Sequence, residues 1–412
     1  MLSLVFNDKS LEKFKIDFNP YTMKFGQDVQ DIKPLMTVQT KIHSKSPKVL
    51  KIMLGDACNF RCKYCRQDHH GRKDSFNPAR LAAFMQMLTN NLSLHQLERV
   101  EYWGGEPLLY WDEIRYLMDR IETHVKRPVT HHITTNGSLL TNDIVSDIKS
   151  LKYLFKLSHD GPGQSLRTAD PLKLHESKIM DLYTHMKTAE GSKFHINSVL
   201  TKLCPSPFTI VDFFRKRFDN DVSIMKIEPV IPYNDDALSY AINPADMPKF
   251  SFQIANDIIR GDIVRSVVEY QQLWDAFVLM EAAPDYIYNM TEAKCHGSQL
   301  MTICTDLDGN LTPCQVYDNY TPDQVIGHLT KLDDIKEELP YAPINRAGRC
   351  TNCPVISLCR GVCPHIAPGQ HADTNCLMRY NTYLGILTAF LFFKTQKFLI
   401  QVNGDYYHNQ QR

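Results

Sequence analysis

From Val49 onward, short runs rich in β-branched and aromatic residues alternate with stretches whose apolar residues recur at helical spacing. The pattern predicts strands at Leu50 to Leu54, Arg99 to Tyr102, Val129 to Thr134, Tyr153 to Ser158, His195 to Leu200 and Ile224 to Pro229. Helices are expected between them, for example Pro78 to Leu92, with Asn77 as its N-cap, and Trp111 to His124. Six such β-α repeats describe an α/β fold, a partial (β/α)6 barrel whose strands run parallel. Beyond Pro232 the period becomes helical, at Pro244 to Arg260 and Asp262 to Ala283, and these helices are expected to pack against the barrel. Before Val49 the chain is mixed and polar, broken by Pro20, Pro34 and Pro47; it offers a short strand near Leu2 to Phe6 and nothing catalytic. Near the other end, Tyr383 to Phe393 is an apolar run closed by Lys394. It is too short for a membrane span, which takes about 20 residues, so a helix packed on the body is expected.

Composition narrows the picture only slightly. At 412 residues and 43% hydrophobic, the chain has enough apolar material for one large core or two to three domains. Its formal net charge is zero, so it lacks the basic excess of a nucleic-acid binder. Twelve cysteines grouped as C-x2-C and C-x3-C, behind no secretory leader, favour a reducing cytoplasm and metal ligation over a disulfide framework. The expected division is an N-terminal extension (1–48), the barrel (49–235), a helical connector (236–290), a cysteine-rich domain (291–380) and a C-terminal helix and tail (381–412).

The candidate chemistry lies in the cysteines. Cys58, Cys62 and Cys65 follow the spacing C-x3-C-x2-C directly after the first strand, the end at which β-α barrels build their sites. No fourth cysteine is near. A closed 4Fe-4S cube takes four thiolates, so three leave one iron open to a reactant; a zinc knuckle or a group of buried thiols is the plainer alternative. The second strand ends in Gly104-Gly105-Glu106-Pro107, where two glycines permit close approach to a ligand and leave peptide groups free for it, or make an ordinary turn. Strands three and four end in the turn-forming Thr134-Thr135-Asn136-Gly137 and Ser158-His159-Asp160-Gly161-Pro162. Further on come Cys295, Cys314, the block Cys350-x2-Cys353-x5-Cys359-x3-Cys363, and Cys376. These suffice for two more clusters, and two four-cysteine zinc sites fit the spacing almost as well. Cys204, ahead of Pro205, has no partner spacing and reads as incidental.

The cysteine triplet, with aromatic Tyr64 before its last member, resembles the signature of the radical S-adenosylmethionine (SAM) superfamily. Gly104 to Pro107 resembles that family's motif for the amino group of SAM. The order of the later cysteines resembles the SPASM domain of its peptide-modifying members, with a hairpin turn at Asp308-Gly309 between Ile303 to Leu307 and Leu311 to Gln315, followed by Val325 to Leu329. The likeness runs from about Leu50 to Arg379. It implies a 4Fe-4S cluster on Cys58, Cys62 and Cys65, SAM chelated to the open iron, and cleavage to a 5′-deoxyadenosyl radical. It further implies cofactor contacts from Tyr64, Gly104, Gly105, Glu106, Pro107, Ser158 and Asn197. Two auxiliary 4Fe-4S clusters would follow, one on Cys295, Cys314 and Cys363, the other on Cys350, Cys353, Cys359 and Cys376. Cys304 is either the missing ligand of the first or a half-buried thiol. Anaerobic sulfatase maturases carry an aspartate directly after the second auxiliary cysteine; here Gln315 stands there and is no general base, which disfavours that activity, while Asp318, three residues on, is either a substitute base or a solvated turn residue. His69 and His70 read as surface residues. The implied partners are a peptide or protein substrate and an electron donor such as flavodoxin or ferredoxin; the alternatives are a small-metabolite substrate and a non-catalytic zinc protein.

Overall fold

The computed structural model describes residues 2–7, 13–19, 24–25, 45–65, 73–261, 263–282, 301–314, 325–335, 350, 353–359 and 369–403. The chain opens with three strands, β1 (Leu2–Asn7), β2 (Lys13–Asn19) and β3 (Lys24–Phe25). The expected barrel strands all form: β4 (Val49–Met53), β5 (Arg99–Trp103), β6 (Thr130–Thr135), β7 (Tyr153–Ser158), β8 (Lys193–Leu200) and β9 (Ile224–Pro229). They lie side by side in sequence order and pair in parallel, an open (β/α)6 sheet with helices as crossovers. The helix Pro78–Asn91 begins where expected, because the Asn77 side chain accepts the Arg80 N–H and Pro78 needs no partner.

Two arrangements differ from the sequence pattern. The hairpin strands β10 (Thr302–Asp306) and β11 (Asn310–Thr312), with β12 (Gly327–His328), do not stand apart from the barrel: β10 pairs in parallel with β4 and extends the same sheet to nine strands. The last strand, β13 (Phe398–Asn403), returns to β1, so the two ends of the chain share a four-stranded sheet. The C-terminal helix is also longer than the apolar run suggested. It spans Gln370–Thr395 because polar residues continue it upstream, past Cys376. By length and composition alone it is a candidate membrane span, yet 72% of its apolar window is buried. Its partner is the helix Met247–Gly261, and Phe390 meets Trp274 edge-to-face and Phe277 at a tilt, at 5.2 and 4.7 Å between ring centroids.

Strand alternation separates a core face from a lumen face. Leu50, Ile52, Val100, Tyr102, Ile133, Phe155 and Ile196 are buried in one cluster with Leu81, Phe84, Leu88, Ile114 and Leu117 of the crossover helices. On the opposite face, register aligns Lys51, Glu101 and His132 in one row, and Ser158, Asn197 and Lys226 in another nearer the strand ends. Lys51 Nζ lies 3.1 Å from Glu101, with Arg99 Nε at 2.8 Å and His132 Nδ1 at 3.5 Å from the same carboxylate. Burial opposes this charge, but His132, Lys51 and Arg99 hold the Glu101 carboxyl well below its ordinary value. Lys156 lines the same lumen, and its ammonium is pushed down to about 8, chiefly by burial.

Candidate functional site

The ends of β4 through β7 meet at one rim, and the loop carrying Cys58, Cys62 and Cys65 leaves β4 there. Glycines let it lie flat against the next strand end. A Cβ on Gly104 would sit 2.7 Å from the Gly55 carbonyl oxygen, and one on Gly105 would sit 2.5 Å from that of Asp56. Gly105 N–H donates to Gly55 O at 3.1 Å, and Glu106 N–H donates to Ala57 O at 2.9 Å. The close approach expected for a ligand is therefore made by the chain itself, and these two peptide N–H groups are spent on holding the cysteine loop. Tyr110 braces the loop from below, its hydroxyl accepting the Ala57 N–H at 3.0 Å.

Glu106 is almost wholly buried and faces inward. Its carboxylate accepts from Leu108 N–H at 3.0 Å, Thr135 Oγ1 at 2.5 Å and Asn136 N–H at 2.8 Å. Burial pushes this carboxyl up, while those three donors draw it back. The next strand end joins in, as Asn136 Nδ2 donates to Asn59 Oδ1 at 2.9 Å and Asn59 Nδ2 to Ser138 Oγ at 2.8 Å. The ends of β5 and β6 thus fix the conformation of the cysteine loop before any cofactor is considered.

A second network grips the loop from β7. Tyr64 donates its hydroxyl hydrogen to Asp160 Oδ2. Arg167 reaches the same carboxylate through Nε at 3.0 Å and Nη2 at 3.4 Å, and Val199 N–H donates to its other oxygen at 3.0 Å. The Arg167 guanidinium also lies 5.8 Å from the centroid of the Tyr64 ring. Asp160, Arg167, Asn59 and Tyr110 were not singled out by the sequence, where Asp160 reads only as part of a turn. Its partner Tyr64 is 96 positions away, a separation at which no local signal exists.

The three thiols are half-buried and, like all ten described cysteines, form no disulfide. Burial raises the Cys58 thiol to about 11, the Phe60 N–H lowers it, and Glu106 and Cys62 raise it further. Burial likewise raises Cys62, against the pull of Arg167. Three soft sulfur donors in a pocket that disfavours free thiolates suit a metal that displaces their protons. Each thiolate of an iron–sulfur cube binds its own iron, so the set need not converge on one point. Among the described residues no three His, Cys, Asp or Glu do converge. Facing the lumen beside this loop, the end of β7 offers Ser158, aligned with Asn197 of β8. Asn197 Oδ1 is buried without a hydrogen-bond partner, an orphan that a polar ligand in the mouth would satisfy. Both the donor set and this amide fit a 4Fe-4S cluster and SAM.

The later cysteines are partly described. Cys350, Cys353, Cys359 and Cys376 are brought together: the Cys353 thiol is pushed far up by burial first, then by Cys359, Cys376 and Cys350. Cys376 stands on the C-terminal helix, and three residues on, Arg379 Nη2 lies 3.9 Å from Glu228 of β9. Cys314 is buried at the end of the hairpin. Cys304 lies inside β10, register partner of Lys51 and only 3% exposed, so it is buried rather than half-buried. Cys204 is buried as well. Cys295, Cys363, Gln315, Asp318, His69 and His70 lie outside the described residues.

Comparison with known proteins agrees with this architecture. Residues 52–180 match the profile of the Radical SAM superfamily. The chain is 23% identical over 343 residues to the radical SAM cyclopropyl synthase TigE of Paramaledivibacter caminithermalis, covering 77% of this chain and 67% of that protein. Among solved structures, native anSMEcpe with bound AdoMet aligns with a TM-score of 0.61 at 18% identity, over 82% of this chain and 95% of that one. SuiB of Streptococcus suis, bound to its precursor peptide SuiA, aligns at 0.53 and 16% identity, over 80% and 76% of the two chains. The matched segment covers the strand ends that carry the cysteine loop, Glu106 and Asp160, and over residues 52–180 the chain is similar to a radical SAM domain.

Proposed function

We propose that this radical SAM enzyme abstracts hydrogen from a peptide or protein substrate, with Cys58, Cys62 and Cys65 holding the SAM-binding 4Fe-4S cluster. Bound there, the cluster supplies the electron that cleaves SAM to a 5′-deoxyadenosyl radical. The chain's own part is to hold and to orient. Gly104, Gly105 and Glu106 dock the cysteine loop, Tyr64 ties it to Asp160, and Ser158 and Asn197 offer polar groups to SAM in the mouth. Pro107 needs no N–H partner where the chain turns into the short helix Pro107–Tyr110.

The observation that carries the substrate reading is the position of the second cysteine set. Cys376 and Arg379 share a helix, and Arg379 reaches Glu228 in the lumen wall, so a cluster on Cys350, Cys353, Cys359 and Cys376 borders the space into which a substrate enters. A group so placed serves to take an electron from a substrate radical or to anchor the substrate. A further cluster on Cys295, Cys314 and Cys363, with Cys304 as the candidate fourth ligand, belongs to the same proposal. The outcome would be a thioether, a carbon–carbon crosslink or an oxidised side chain, with flavodoxin or ferredoxin as electron donor. Relatives lend support: SuiB is solved with a precursor peptide, and anSMEcpe with AdoMet and a Cp18Cys peptide. The division 1–48, 49–235, 236–290, 291–380 and 381–412 remains our proposal for the domain organisation.

Anaerobic reconstitution tests the reading. Cys62→Ala is expected to abolish formation of 5′-deoxyadenosine from SAM and reductant, whereas Cys353→Ala keeps some cleavage and makes no product. A colourless protein that binds stoichiometric zinc and forms no 5′-deoxyadenosine would overturn it. Deuterium transfer into 5′-deoxyadenosine from labelled metabolites, and none from labelled peptides, would move the substrate to the small-molecule class.

A further inference from the structure

Two bonds from backbone N–H groups, one to a side-chain hydroxyl and one to a carbonyl, bracket Cys62. Arg61 N–H donates to Thr168 Oγ1 at 2.5 Å, and Lys63 N–H donates to the Leu166 carbonyl at 3.0 Å. The two segments therefore run antiparallel, 61 against 168 and 63 against 166, which sets Cys62 opposite Arg167. The Arg167 side chain is 10% exposed, and its guanidinium is aimed by Asp160, itself fixed by Tyr64 and by the Val199 N–H. Water screens a charge poorly in such a place, so a full positive charge there acts strongly on whatever Cys62 holds. The Asp160 oxygens are occupied by Tyr64, Arg167 and Val199.

We propose that Arg167 is a built-in cation that raises the reduction potential of the cluster on Cys62, with Asp160 as the positioning residue that aims it and partly offsets its charge. The inference rests on the reading of Cys58, Cys62 and Cys65 as cluster ligands. Its balance is simple: one electron from the external donor enters the cluster, no bond is made or broken, and the added negative charge is stabilised by the guanidinium. Among the levers a protein has over an iron–sulfur potential, this is the local charge rather than the ligand set.

The test is an EPR-monitored redox titration of the reconstituted full chain, following the signal that changes when SAM is added. Arg167→Gln is expected to make the cluster harder to reduce by about tenfold, which for a one-electron couple is 59 mV. Arg167→Lys, which keeps the charge, is expected to stay near the parent. Asp160→Asn removes the anion and leaves the cation, so its shift should be in the opposite direction, towards easier reduction. Two variants that merely loosened the loop would move the same way, and that result, or unchanged potentials, overturns the inference. If Asp160→Asn does not load iron, the comparison of Arg167→Gln with Arg167→Lys decides alone. Failure of the parent chain to assemble any SAM-responsive cluster would instead sink the ligand reading beneath it.

Discussion

Single residues at the rim hold the cysteine loop in place. Glu106 shows this best, because its buried carboxylate accepts two backbone N–H groups, from Leu108 and Asn136, besides the Thr135 hydroxyl. Replacing Glu106 with Ala strands both amides in a dry site, and each unsatisfied donor costs roughly 1–3 kcal/mol. We expect urea unfolding to register a loss of about 4 kcal/mol, the middle of that range for two donors. Gly105→Ala is expected to act differently: its new methyl group meets the Asp56 carbonyl oxygen at 2.5 Å, so iron retained by the loop should fall while the barrel's circular dichroism persists. The residue types in this site were legible from the sequence, but their use was not. Two glycines ahead of a glutamate announce close approach without saying what approaches, and here it is the chain's own Gly55 to Ala57.

Among the elements, the strands were the most legible, because β-branched runs between turn residues carry their own signal; Tyr153–Ser158 and Ile224–Pro229 form as read. The placement of β10 beside β4 was not, since parallel pairing of Thr302–Asp306 with Val49–Met53 links segments that share no local pattern. The helix Gln370–Thr395 was read too short for a related reason: its upstream turns are polar where they carry Cys376, and periodicity alone stops at the apolar run. Its packing yields a prediction in which two effects oppose each other. Alanine is the better helix former than glycine by about 1 kcal/mol, which alone would stabilise Gly385→Ala. Yet a Cβ at Gly385 would meet the Ser251 carbonyl oxygen at 2.7 Å and Ile254 Cβ at 2.8 Å, both on the facing helix. Overpacking of this kind costs about 1–3 kcal/mol and acts on backbone that cannot swing aside, so packing wins. Thermal unfolding is expected to show Gly385→Ala less stable than the parent; a gain in stability would mean the two helices part without cost.

For the whole molecule, the polar lumen makes stability depend on pH. Glu228, near the end of β9, lies 3.2 Å from Lys226 Nζ and 3.9 Å from Arg379 Nη2. Lys226 is 47% exposed yet walled in by protein, as expected of a group lining an open cavity. Glu269 stands on the helix Val268–Ala282 that packs against β9. Burial first, and then the charge of Glu228, push its carboxyl up to about 7, against the pull of Lys226 and Arg379. A carboxyl raised on folding holds its proton in the folded chain after the unfolded chain has released it. Its contribution is therefore fully present below the ordinary value of 4.5, and is lost as pH rises through about 7. Burial also pushes His132 and His195 down to about 4, and they titrate in an overlapping range with the opposite sign. That background cancels when Glu269→Gln is compared with the parent in the same buffers and at the same cluster loading. The stability of the parent relative to Glu269→Gln should fall steadily between about pH 5 and pH 7, by no more than tenfold in the folding equilibrium per pH unit, the limit for one proton, and level off above it. A difference that does not change across this range would mean that Glu269 is ionised at neutral pH, and that Lys226 and Arg379 together, rather than burial and Glu228, govern the charge of the lumen wall.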